Sequence, residues 1–146
     1  MAQRIETAKR TINGTWGEVW VDGEKIAECT ACQLKVANNK QTVNLCGQYM
    51  ADSKGTSGSG TGSLTLYHVD SGFARKQDGI QNGVDRRFTV ISKLADPDSY
   101  GAERVAAYNV SFDDLTLADW KAATVGTVTK PFTFTRYELL DQIQAE

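Results

Sequence analysis

Trp16-Gly-Glu-Val-Trp-Val21, followed by Asp22-Gly23, is the stretch on which the fold turns. Trp16, Glu18 and Trp20 fall on one side of an extended chain, and Gly17, Val19 and Val21 on the other. That is the period of two expected of a half-buried strand. Asp-Gly suits a two-residue type I′ turn, because both central positions must take positive φ. A return strand is therefore expected over 25–36, with Ile26, Thr30, Cys32, Leu34 and Val36 on one face. The first reading of this chain is a β-hairpin.

The same alternation recurs downstream in short runs bounded by Gly, Asn or Asp. Residues 41–46 form a third extended run with Val43 and Leu45 on one side. Residues 52–63, Asp-Ser-Lys-Gly-Thr-Ser-Gly-Ser-Gly-Thr-Gly-Ser, hold no large apolar side chain. Such a stretch cannot bury enough surface to fix itself and reads as a mobile loop. Loops of that length inside a folded unit tend to be functional. It runs into a strand over 63–69, with Leu64 and Leu66 opposed to Tyr67 and Val69. Asp70-Ser71 can N-cap one helix carrying Phe73, Ile80 and Val84, weakened by Gly79 and Gly83. Strands resume at 87–94 and 103–112, separated by a turn over 95–101. A helical turn is expected at 118–123, and a last strand at 127–139. Pro131 inside that strand marks an edge or a first residue, since it has no N–H to give. Seven or eight strands with one flanking helix make an antiparallel sandwich or barrel.

Composition agrees with that class and removes several others. With 146 residues, 40% hydrophobic and 23% charged, the chain is long enough to bury a core without disulfides. The longest apolar run is Val105-Ala-Ala-Tyr108, far short of the ~20 residues a membrane helix needs. The first seven residues have no apolar stretch of the kind a signal peptide carries. Sixteen basic residues against eighteen acidic give a net charge of −2. Sequence-specific DNA binding is disfavoured by that balance. The acidity is concentrated from Asp113 onward, where six acids face three bases.

The equipment for catalysis is thin. Cys29-Thr-Ala-Cys32 is the one CxxC, with Cys46 and His68 as further candidate zinc ligands. On a strand, positions three apart point to opposite faces, so the two thiols should not converge unless the strand breaks. Three free thiols are the expectation, with zinc or a disulfide as alternatives. Gly58-Ser-Gly-Thr-Gly62 lacks the Lys-Ser/Thr and the following helix of a phosphate loop. His68 has no Ser and acid at a triad-like spacing. Asp96, Asp98, Asp113 and Asp114 read as solvated turn carboxylates. Trp16, Trp20 and Trp120 read as core or interface residues. No metal, cofactor or catalytic set is expected.

An ordered series of segments resembles a known family. These are Gly17-Glu-Val-Trp-Val-Asp-Gly-Glu24, Val43-Asn-Leu-Cys-Gly47, Lys54 with the Gly-rich run, and Gly62-Ser-Leu-Thr-Leu-Tyr-His-Val-Asp-Ser71. Glu103-Arg-Val105, Val110-Ser-Phe-Asp113, Leu117-Ala-Asp-Trp120 and Pro131-Phe-Thr-Phe134 continue it. Together they resemble the tail tube protein of contractile-tailed phages, phage-like prophage elements and R-type bacteriocins of Gram-positive bacteria. The CxxC is not part of that pattern.

The resemblance implies a single tail-tube domain over 1–146 and a non-enzymatic structural role. Hexameric rings of the protein would stack into a hollow tube. The implied partners are further copies, a tail sheath protein, a tape-measure protein and a baseplate, with DNA only in passage in a phage and no membrane. The implied location is a virion tail or extracellular tail-like particle, made in the bacterial cytoplasm. A long loop at about 38–63 is expected to act in assembly, through Val43, Leu45, Tyr49, Met50, Lys54, Gly55, Gly58, Gly60 and Gly62. Within it the apolar residues should form the base, and 52–63 the tip. The competing reading is a small-ligand-binding β-barrel, which requires a dry apolar pocket.

Overall fold

The Asp22-Gly23 turn forms as the alternation predicts. A computed structural model describes residues 7–144. In it Asp22 and Gly23 take φ of 50° and 82°. They fold β1 (Gly17–Val21) onto β2 (Glu24–Lys25), with Val21 opposite Glu24. Residues 1–6, part of the stretch read as lacking a signal peptide, lie outside the described residues.

The return strand does not continue as expected. Ile26 is buried and its N–H donates to Val19 O, after which the chain turns and leaves β1. β3 (Cys29–Val43) pairs instead with β4 (Asp52–Tyr67). A register shift between Cys29 and Ala31 moves Thr30 to the exposed side, although strict alternation put it inward. The run expected at 41–46 is the far end of β3, which stops at Val43.

The largest departure is β4. Its first twelve residues read as a loop, yet they form an antiparallel ladder with β3 from Val43↔Asp52 onward. The physical reason is visible along the strand. Gly58, Gly60 and Gly62 continue the face of Leu64 and Leu66, while Ser57, Ser59, Thr61, Ser63 and Thr65 make the other. This is period-two alternation with glycine in the inward places.

α1 (Gly72–Gln77) buries Phe73 and Gln77, one turn apart. Ser71 gives no side-chain cap; Asp70 Oδ1 instead accepts from Gly72 N–H at 2.9 Å. Gly79, at φ 108°, ends the helical path, and a separate short turn over Ile80–Asn82 leaves Ile80 and Val84 exposed rather than in the expected stripe. β5 (Phe88–Leu94) and β6 (Glu103–Phe112) follow, and Asp96 between them is no solvated carboxylate. It is buried and accepts from the N–H groups of Asn13 and Asp98 at 2.8 and 2.9 Å.

The single strand expected at 127–139 is divided into β7 (Thr127–Phe134) and β8 (Arg136–Asp141). The division sits at a corner. Asn109, at φ 58°, bends β6, and its Nδ2 donates to Thr135 Oγ1 at 3.1 Å. β6 pairs with β8 up to Tyr108 and with β5 up to Val110; beyond that, Ser111 and Phe112 pair with β7. β6 therefore joins a β2-β1-β5-β6-β8 sheet to a β6-β7-β4-β3 sheet. Pro131 lies just beyond the end of the β6–β7 ladder, so its missing N–H costs that ladder nothing; its carbonyl accepts from Asp113 N–H. The helical turn expected at 118–123 is absent, and 114–126 is irregular.

The core lies where the two sheets and α1 meet. Phe112 is its hub, with ring centroids 5.6 Å from Phe73, 5.4 Å from Phe88 and 5.6 Å from Phe132. Edge-on and tilted rings at such distances add to what burial alone supplies. Lys130 is buried beside them, its Nζ 3.3 Å from Gln77 Oε1, and desolvation pushes its pKa down. The antiparallel β architecture with one short flanking helix matches the fold class expected.

Candidate assembly surface

β4 has two kinds of neighbourhood. Residues 60–66 lie between β3 and β7, paired on both sides, and Tyr67 pairs with β7. Residues 52–59 pair with β3 alone, so the β3–β4 ribbon leaves the body as a two-stranded arm. At roughly 3.3 Å per residue, it projects ~25 Å.

The expected site residues divide along this arm. Gly60 and Gly62 belong to the body. Each sits directly across from an aromatic residue, Gly60↔Phe134 and Gly62↔Phe132. A methyl group added at Gly60 would fall 2.6 Å from Phe134 Cε2, and one at Gly62 2.7 Å from Phe132 Cζ. These glycines make room for rings rather than confer flexibility. Gly58, Gly55 and Lys54 lie on the projecting half. Thr56 is the extra residue of a bulge, with its Oγ1 donating to Asn39 O at 3.1 Å.

The polarity expected of the segment is reversed. The sequence pattern makes Val43, Leu45, Tyr49 and Met50 its base, yet they form its far end. Val43 ends β3, while Leu45, Tyr49 and Met50 lie in the 44–51 connection, and all four are exposed. Residues 52–63 are the strand that returns to the body. Glycines in a strand look like a loop in sequence, which leaves the apolar residues as the only apparent anchor.

Among the described residues the outer edges of β3 and β8 are open, as is that of the two-residue β2. Between the β3 and β8 edges runs a groove of about 480 Å³ lined by Leu34, Val36, Val105, Phe134, Tyr137 and Leu139. Open edges and exposed apolar residues together are features of surfaces that pair with other chains. No sequence pattern flagged these edges, because an edge is defined by a partner that fails to arrive.

The candidates for chemistry do not gather. The bulge at the start of β3 turns Cys29 and Cys32 both toward the core, where they pack partly buried. The CxxC thus faces one way after all, because the strand is irregular there. Burial pushes the Cys32 thiol up to about 11, with the Ser92 hydroxyl pulling the other way and Cys29 adding to the rise. Burial also raises Cys29. Both are protonated at neutral pH and poor nucleophiles. Cys46 is exposed on the arm, and all three cysteines are free. His68 is exposed, held by its backbone N–H to Gly126 O at 2.8 Å. Among the described residues no three His, Cys, Asp or Glu side chains are placed to hold a metal ion. A cleft of about 720 Å³ beside β1 and β3 sets Glu18, Lys25 and Lys93 next to Ile26, Cys29 and Cys32. Its charged lining is unlike the dry apolar pocket that the ligand-binding alternative requires.

A family model described as phage tail tube protein matches residues 5–141. The chain belongs to the phage tail tube family. Its role is that of a structural tube protein. The phage-like element PBSX protein XkdM of Bacillus subtilis is 34% identical over 139 residues, covering 93% of this chain and 95% of that protein. A solved Bacillus subtilis protein, also 34% identical, covers 92% of this tail tube chain and 99% of its own, with a TM-score of 0.53. The fold is also similar to a chain of the sheath–tube complex of an extracellular contractile injection system, PVC, in its extended state. There the TM-score is 0.71 at 12% identity, over 90% of this chain and 93% of that one. Among the described residues, no helix of the tail tube chain is long and apolar enough to cross a membrane.

Proposed function

We propose that this protein builds the inner tube of a contractile phage tail or tail-like particle, as hexameric rings stacked end to end. The observation that carries this reading is the arm. An isolated two-stranded ribbon is marginal in water. This one also exposes Tyr49 and Met50 at its end and carries only Ser, Thr, Gly, Lys and Asp over 52–59. Fixing each backbone residue costs about 1–2 kcal/mol, and neighbouring subunits supply the burial that offsets it. The open β3 and β8 edges serve contacts within a ring, and the arm serves contacts between subunits beyond it. The single tail-tube domain spans 1–146, and the arm, from about 38 to 59, is its assembly element.

The further partners are a sheath outside, a tape-measure protein in the lumen and a baseplate at one end. In a phage, DNA passes through the tube. A net charge of −2 suits a conduit, since tight DNA binding rests on neutralising phosphates with Lys and Arg. The protein acts in the tail or tail-like particle, is made in the bacterial cytoplasm and catalyses nothing.

Electron microscopy of the purified protein tests this. Uniform tubes or six-membered rings are expected from the native chain. Joining Lys40 to Gly55 through Asn-Gly removes the outer arm and leaves the body ladder intact. That variant should keep its circular dichroism and melting temperature and form no tubes. Normal tubes from it would remove the arm from assembly, and a native chain that stays monomeric at high concentration would refute the tube reading.

A further inference from the structure

The irregular segment 113–126 is a second unpartnered feature, and the topology sets it at the end of the body opposite the arm. β4 leaves toward the arm at Gly60 and reaches the other end at Tyr67, opposite Thr127. From Phe112 the chain runs to Thr127, so 113–126 caps that end. It is tethered at both termini: Asp113 N–H donates to Pro131 O, Gln77 Nε2 to Asp114 O, and His68 N–H to Gly126 O. Between the tethers Trp120 and Leu117 are 86% and 83% exposed, and Val125 is exposed beside them. An exposed Trp on a tethered segment is a common form of interface anchor.

The two ends are complementary in both charge and apolarity. The arm carries Lys40 and Lys54 against Asp52. The capping segment carries Asp113, Asp114 and Asp119 against Lys121. Among the described residues, no side chain of either set forms an ion pair within the chain, although the charge of Asp114 acts on Lys130. The arm end offers Leu45, Tyr49 and Met50, and the cap offers Leu117, Trp120 and Val125. A basic apolar end and an acidic apolar end on one chain make a heterologous contact, which propagates from copy to copy instead of closing on itself.

We propose that the 113–126 segment is the receptor for the arm end of a second copy of this chain in the next ring, with Trp120 seated among Leu45, Tyr49 and Met50. This rests on the stacked-ring reading and adds to it the residues that receive the arm. It also gives the tube a direction, since every arm points the same way.

Cys46, free and exposed at the arm end, supplies the test. In an Ala122→Cys variant assembled into tubes and oxidised with copper–phenanthroline, Cys46 of one copy should join the new cysteine of the next. A ladder of trimers and larger species on a non-reducing gel is expected, and Cys46→Ser should abolish it. Separately, Asp119→Lys and Lys54→Glu should each lower tube yield at least tenfold at low salt, and the two combined in one chain should restore it. Tubes of normal yield that give no species beyond dimer, or reversals that neither reduce nor rescue assembly, overturn the receptor assignment and leave the tube intact. A native chain that forms no tube at all overturns both.

Discussion

The two halves of β4 are both rich in Gly, Ser and Thr, yet only 60–67 carries Leu64, Leu66 and Tyr67 and has a neighbour on each side. Residues 60–66 are held by β3 and β7 and lie over Phe132 and Phe134; residues 52–59 are held by β3 alone. Gly60 and Gly62 stand under aromatic rings, whereas Gly58 meets only Ala37 O at 3.6 Å and Val36 Cγ1 at 3.9 Å. A glycine-rich strand is therefore stable where a neighbour supplies the bulk that glycine lacks. Where none does, it waits for one. Body and arm are one strand divided by the availability of partners.

Hydrogen exchange should show the greatest contrast. In the unassembled protein, amides of 61–66 should be protected at least a hundredfold more than those of 53–58, and assembly should narrow the gap. Equal protection before assembly would erase the distinction between body and arm. Next in size is Phe132→Ala. Phe132 is fully buried and contacts Phe112, so its loss should cost about 3–5 kcal/mol in urea titrations. Tyr49→Ala at the arm end should change monomer stability by less than about 0.5 kcal/mol.

Gly62→Ala places a methyl group against Gln33 O and the Phe132 ring, and should destabilise by about 1–3 kcal/mol. Gly58→Ala has room and should cost less than about 0.5 kcal/mol or stabilise slightly. If the two substitutions cost the same, the glycines do not differ as their neighbours imply.

The cysteines sharpen the comparison on a smaller scale. Cys46 on the arm should react with an alkylating reagent far faster than Cys32 in the body. Folded Cys32 keeps its proton up to about 11, whereas the unfolded thiol loses it near 9.0. The native state therefore binds more protons in that window, and this contribution is fully present below pH 9 and lost as pH rises toward 11. Cys32→Ala should flatten the fall in melting temperature between those pH values.

Much of the body is legible from local pattern. The Asp22-Gly23 turn and the inward Phe132 and Phe134 follow from period-two alternation and turn chemistry. In β6, by contrast, the alternation that sets Ala106, Tyr108, Val110 and Phe112 on one face is broken at Asn109, so that Ala107 joins Val110 and Phe112 in the core. Turn and alternation are properties of adjacent residues, so the chain states them directly. Length, composition, charge and the ordered family resemblance likewise belong to the sequence alone. The arm illustrates the limit. Alternation is present through 57–66, but an inward glycine announces itself only when the ring above it is known, and Phe132 and Phe134 lie about seventy residues away. For the same reason Asp96 reads as solvated until Asn13 arrives beside it, and Trp120 reads as core or interface until the sheets close without it. What the sequence by itself determined was which segments extend, where they turn and what family they make. Only the tertiary structure decided which strand β3 would choose, which edges stay open and which end of the 38–63 segment faces outward, because each depends on the approach of residues distant in the chain.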